Sequence, residues 1–117
     1  MNNPKLYVGT AGWSYKDWVP NFYPCSQSKD FTWLQYYSRY FSTVEVNASY
    51  YTYLNPNILK SWLRQLENVD DFIFTYKLHM DFTHKHNYGE KQINAVRYNL
   101  DILKEAERLG GILLQFP

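Results

Sequence analysis

Four short apolar or β-branched runs, Lys5–Thr10, Thr43–Asn47, Phe72–His79 and Gly111–Phe116, alternate with stretches whose apolar residues recur every three to four positions. Side chains alternate across a strand but return to one face of a helix about every 3.6 residues. The change of period therefore reads strand, helix, strand, helix, strand, helix, strand. No hairpin signal joins neighbouring runs, so each strand reaches the next through a helix. Such strands lie parallel, with right-handed crossovers. The expected class is α/β: parallel (β/α) units with four strands and three helices, residues 1–117 forming one unit.

The first run closes at Gly9 and Gly12, as a buried strand entering a loop does. From Trp13 to Lys29 the chain reads as an irregular loop, rich in rings and broken by Pro20 and Pro24. A first helix is expected over about 31–41, where Trp33, Leu34, Tyr37, Tyr40 and Phe41 share a face and Asp30 is a candidate cap. The second begins at Asn55-Pro56, a capping residue followed by a proline that lacks only an orphan donor, and buries Leu59, Trp62, Leu63 and Leu66. The third carries Ile93, Val96, Leu100, Leu103 and Leu109 on one side, with Gly110 as a left-handed terminator.

Composition narrows the class of function. Twelve Lys and Arg against 11 Asp and Glu leave a net charge of +1, too little for the basic footprint that nucleic-acid binding needs. The single cysteine, Cys25, excludes an intrachain disulfide and a multi-thiolate zinc site, and points to a reducing compartment. No run approaches the roughly 20 apolar residues that span a bilayer, and Met1–Lys5 opens without a basic-then-apolar leader. The expectation is a soluble, cytoplasmic protein with neither nucleic acid nor membrane as partner. Gly9-Thr-Ala-Gly12 lacks the spacing of a dinucleotide fingerprint and no phosphate loop occurs, so no cofactor is expected. Asn47-Ala-Ser49 is formally a glycosylation sequon, without meaning in the cytoplasm.

In parallel α/β folds the chemistry collects at the carboxyl ends of the strands. Glu45 and Asn47 close the second strand on one face, with Val44 and Val46 on the other. Lys77 and His79 close the third, opposite Phe72, Phe74, Tyr76 and Leu78, and Gln115 closes the fourth. Glu45 and Lys77 are the candidate catalytic pair, an acid/base or charge-stabilising couple. The same spacing also serves a structural ion pair, whose members persist because removing one strands a buried charge. Trp13, Tyr15, Trp18, Tyr50, Tyr51 and Tyr53 follow the first two strands and offer either stacking walls for a sugar or base, or plain rim packing. His79, Asp81, His84 and His86 are dense in donors but match no ligand spacing, so no metal is assigned.

Certain blocks point beyond a class: Gly9-Thr-Ala-Gly-Trp-Ser-Tyr-Lys-Asp-Trp18, Phe22-Tyr-Pro24, Phe41-Ser-Thr-Val-Glu-Val-Asn47 followed by Tyr50 and Tyr51, Phe74-Thr-Tyr-Lys77, Thr83-His84 and Leu114-Gln-Phe-Pro117. Together they resemble the YecE-like family, the domain of unknown function 72, along essentially the whole chain. The resemblance implies a TIM-type (β/α)8 barrel with a strand-end pocket on which Trp13, Tyr15, Glu45, Asn47, Lys77, His84 and Gln115 lie. No established catalytic residue comes with it. A whole barrel takes about 250 residues, so 117 residues are expected to supply its N-terminal half, truncated after the fourth strand. A half-barrel leaves two strand edges unpaired, hence an expectation of self-association or of a complementary C-terminal half. Three functional readings follow. One is a fold that binds or transforms a small polar or sugar-like ligand, with Trp13, Tyr15, Trp18, Asn47, Tyr51, His79, His84 and Gln115 as binding residues. The second is a non-catalytic module that grips a ligand or partner through loop 13–23. The third is a fragment without independent function.

Overall fold

The structure, a computed structural model, describes residues 5–117; residues 1–4, part of the expected leaderless terminus, lie outside the described residues. Four strands, β1 (Gly9–Ala11), β2 (Thr43–Val46), β3 (Ile73–Lys77) and β4 (Leu109–Leu113), form one sheet in the order β1-β2-β3-β4, all neighbours parallel. Between them lie α1 (Trp33–Tyr37), α2 (Ala48–Tyr51), α3 (Pro56–Gln65), α4 (Met80–Thr83) and α5 (Glu90–Glu105). The expected parallel α/β arrangement is the one that forms.

Period two decides which face of the sheet is buried. Val44, Val46, Phe74 and Tyr76 pack beneath the helices against Leu34, Tyr37, Leu59, Leu66, Val96 and Leu103. Burying side chains of this size contributes roughly 1.5–3 kcal/mol each. The opposite face, carrying Thr43, Glu45, Thr75 and Lys77, stays partly open. It walls a hollow of about 550 Å³ lined also by Gly9, Ala11 and Gly111. The molecule is a slab, 45 × 41 × 27 Å, with a Cα radius of gyration of 15.3 Å.

Several boundaries differ from the sequence expectation, each for a physical reason. β1 starts at Gly9, not Lys5, because at Val8 the ladder yields to a side chain: the Val8 N–H donates to Ser42 Oγ at 3.2 Å. Leu6 and Val8 are exposed. At Gly9 a Cβ would stand 1.8 Å from the Thr43 carbonyl oxygen, so only glycine lets β1 approach β2. The first helix is limited to Trp33–Tyr37; Thr32 occupies its cap position, not Asp30, and Tyr40 is exposed. The second matches closely, with Asn55 Oδ1 accepting from the Asn57 N–H at 2.9 Å.

The third helix ends at Glu105, so neither Leu109 nor Gly110 belongs to it. Glu107 takes the left-handed turn (φ 59°), the Arg108 N–H closes on the Leu103 carbonyl at 2.9 Å, and Leu109 already begins β4. Arg108 explains the early turn. Its guanidinium donates to the carbonyls of Phe72 (3.0 Å), Leu66 (2.7 Å) and Val69 (2.7 Å), holding the loop before β3 against the entrance to β4. β4 consequently ends at Leu113, and Gln115 lies beyond it. Two single-turn helices, α2 and α4, add to the three expected, and a 3₁₀ turn over Lys16–Trp18 interrupts the ring-rich loop.

Candidate functional site

The carboxyl end of β2 runs straight into α2, and one serine makes that possible. Ser49, 1% exposed, directs its hydroxyl at the carbonyls of Lys77 (2.6 Å) and Val46 (3.0 Å), tying α2 across the ends of β3 and β2. Tyr50 and Tyr51 are thereby presented above β3. The Lys77 ammonium sits 4.3 Å from the centre of the Tyr50 ring, and the His84 ring meets Tyr50 edge-on at 5.3 Å. His84 Nδ1 also shares a hydrogen bond of 2.8 Å with Thr83 Oγ1. Tyr51 is exposed.

Glu45 and Lys77 share the open face of the sheet without touching. Parallel register places Glu45 beside Thr75, so Lys77 is one tier higher, about 7 Å along the strand axis. No ion pair joins the two; among the described residues Lys5 pairs with Asp71. The lysine spends its charge on the Tyr50 face, an attraction of about 0.5–2 kcal/mol, and Glu45 has no ion-pair partner among the described residues.

Beyond the ends of β1 and β2 the following loops enclose a second cleft, of about 370 Å³, lined by Gly12, Trp13, Ser14, Tyr15, Asn47 and Trp62 among others, whereas Glu45 lines the hollow of the open sheet face. Its floor is set by the backbone: the Gly12 N–H donates to the Glu45 carbonyl at 3.0 Å, and Gly12 turns the chain at φ 77°. Its walls are aromatic. Trp13 packs edge-on to Trp62 at 4.9 Å, and the Tyr15 hydroxyl donates to the Ala11 carbonyl at 2.8 Å. Trp13, Tyr15 and Asn47 thus converge.

Trp18 packs against Tyr15 at 4.9 Å but does not itself line the cleft. It lies in the 3₁₀ turn, stacked with Tyr23 at 6.0 Å and edge-on to Phe22 at 5.9 Å, packed against the core. Tyr23 is wholly buried, its hydroxyl donating to the Trp13 carbonyl. Much of loop 13–23 is therefore spent on packing.

His79 faces elsewhere. It is 6% exposed and lies flat on Tyr53 at 4.1 Å, and its Nδ1 accepts from the Asp81 N–H at 3.0 Å as the cap of α4. A nitrogen that accepts there has no proton to give Asp81 Oδ2 at 3.4 Å, so the neutral ring carries its hydrogen on Nε2. The carboxylate is served instead by the Tyr53 hydroxyl at 2.8 Å. Burial, and then that bond, push the Tyr53 hydroxyl's pKa up from its ordinary value. Among the described residues no group of three or more His, Cys, Asp or Glu is placed to hold a metal. Gln115 is exposed beyond β4.

The model of the family described as protein of unknown function DUF72 matches residues 7–117. The chain belongs to the DUF72 family. Within UPF0759, the YecE protein of Escherichia coli K12 is 28% identical over 96% of this chain, and the YunF protein of Bacillus subtilis 29% identical over 96%. The chain spans only 38% and 40% of those relatives. A solved DUF72 family protein from Enterococcus faecalis matches 95% of the chain with a TM-score of 0.71 at 21% identity, and the match covers 39% of that protein. The likeness bears on fold alone. This DUF72 chain also uses site residues that sequence reasoning missed. Ser49 appeared only as part of a glycosylation sequon, and Trp62 only as a helix core residue. Ser49 follows the end of β2 by three residues, and that placement was the available signal; Trp62, in the middle of α3, carried none.

Proposed function

We propose that this DUF72 chain supplies one wall of a binding site for a small polar, sugar-like molecule at the carboxyl ends of the parallel strands. The observation that carries the reading is the cleft of Trp13, Tyr15, Asn47 and Trp62 at the strand ends, next to a hollow on the open sheet face lined by Glu45, a carboxylate with no ion-pair partner among the described residues. Rings give a sugar flat apolar faces to rest on, while an amide and a carboxylate accept from hydroxyls. In this reading Glu45 is the acid/base or charge-bearing group. Lys77, held over Tyr50, provides the positive counterpart at the rim, and His84 and Tyr51 extend that rim. Trp18, His79 and Gln115 do not converge on the cleft, and the reading omits them from ligand contact.

The test is a thermal-shift screen against neutral and anionic monosaccharides, polyols and small hydroxy acids. A binder at 100 times its Kd stabilises the native state by about 2.7 kcal/mol. Glu45→Gln and Lys77→Met should erase the shift while moving the unliganded Tm little. A large fall in unliganded Tm for either variant would assign the pair a structural role instead.

A further inference from the structure

We propose that the corner formed by Lys77, Tyr50 and His84 is a phosphate subsite, so that the molecule taken at the strand ends is a phosphorylated sugar or polyol; this rests on the binding reading proposed above. Two nitrogen donors border one ring there. Lys77 Nζ stands 4.3 Å from the centre of the Tyr50 ring, and the His84 ring meets it edge-on at 5.3 Å. They come from separate elements, the end of β3 and the residue after α4, while Ser49 anchors the helix that carries the ring.

Neither donor is spent on an acid. Among the described residues Lys77 has no carboxylate partner. Asp81, the acid nearest His84 along the chain, accepts from the Tyr53 hydroxyl at 2.8 Å instead. Thr83, 1% exposed, shares its hydrogen bond of 2.8 Å with His84 Nδ1. An anion favours the arrangement in which that hydroxyl donates to Nδ1 and Nε2 carries a proton toward the ligand. A cation over a ring is held best while charged. Lys77 therefore offers a fixed positive point rather than a nucleophilic amine, which has to be neutral to attack.

The donor types select phosphate. An ammonium and an imidazole meet a compact, multiply charged group as point donors, whereas a flat carboxylate is better served by an arginine fork. The sheet sets the distance to the rest of the ligand. Glu45 stands one tier below Lys77, about 7 Å along the strand axis, and the ring-walled cleft lies beyond the ends of β1 and β2. One monosaccharide spans such a gap, with its phosphate at the Lys77 corner and its hydroxyls toward the carboxylate and the rings.

The experiment titrates the chain with glucose, ribose and glycerol, with their terminal phosphomonoesters, with gluconate and with inorganic phosphate. Calorimetry gives the affinities, and NMR follows the ring signals of His84 beside those of buried His79. The expected result is that each phosphomonoester binds roughly tenfold or more tightly than its parent, and that inorganic phosphate moves His84 but not His79. His84→Leu and Lys77→Met should each abolish the preference for the phosphomonoester, with Tm shifted by only a few degrees. Sugars that bind equally well with and without phosphate overturn the subsite and leave the sugar reading standing. Phosphate that moves His84 while no sugar adds affinity supports the subsite and removes the sugar reading. Gluconate that gains over glucose as much as the phosphomonoester does overturns the assignment to phosphate. A preference that survives both substitutions overturns the location, and silence from every probe overturns both readings.

Discussion

Arg108 shows how much one side chain organises. Three carbonyls from the segment before β3 converge on its guanidinium at 2.7–3.0 Å, with no carboxylate involved. Truncation leaves those oxygens without their charged donor, so Arg108→Ala should cost about 2–3 kcal/mol, on the order of 10 °C in Tm. Arg108→Lys should recover only part of this, since one ammonium cannot reproduce a planar fork. Thermal melts of both variants check it. The tyrosines set a second expectation. Burial raises the pKa of Tyr23, Tyr53 and Tyr76 above the ordinary 10.0, with Asp81 reinforcing the effect at Tyr53 and the Asn99 amide opposing it at Tyr76. In each case the folded state holds its proton more tightly than the unfolded chain. Their contribution is therefore complete below about pH 10 and shrinks as the unfolded phenols ionise above it. Urea midpoints should fall from pH 10 upward, less steeply in Tyr53→Phe. An equal slope in that variant would remove Tyr53 from the account.

At the scale of elements, the short helix α2 exists because Ser49 bridges two strands. Ser49→Ala removes a buried donor from the Val46 and Lys77 carbonyls and should cost about 1–2 kcal/mol. It should also free Tyr50 from Lys77, read as increased mobility of the Tyr50 ring by NMR; a rigid ring would mean that α2 is held by packing alone. Neither α2 nor α4 was legible beforehand, since a single turn carries no periodicity and its anchors come from other strands. Long-period features were legible. The split between Val44, Val46, Phe74 and Tyr76 on the core face and Glu45, Thr75 and Lys77 on the open face follows from period two alone, and the start of α3 follows from the capping asparagine and proline at 55 and 56. The end of α5 was not, because a glycine at 110 is the cheapest left-handed residue. Glu107 takes that conformation instead, next to the anchored Arg108. Sequence reading put Glu45 and Lys77 on one face, but their separation depends on register. The choice of Tyr50 as the lysine's partner depends on where α2 lands.

The whole molecule is broader than its length warrants. Its Cα radius of gyration of 15.3 Å exceeds the roughly 13 Å of a compact domain this long, because the parallel sheet is covered by helices on one face only. Gly111 makes the consequence local: a Cβ there meets nothing within 4 Å, whereas at Gly9 it would strike the Thr43 carbonyl. The open face and the free edge of β4 run on into Leu114 and Phe116, 49% and 58% exposed. A free edge with apolar side chains beside it invites pairing with another chain. The isolated chain should therefore scatter more light as its concentration rises. Leu114→Lys combined with Phe116→Lys should suppress that rise while leaving Tm almost unmoved, because charge deters edge pairing and neither side chain is buried. Scattering that grows identically in the double variant would place the sticky surface elsewhere, on the open face lined by Thr43 and Thr75. Gly111→Lys, which sets a charge into that hollow without a clash, would then be the substitution that suppresses it.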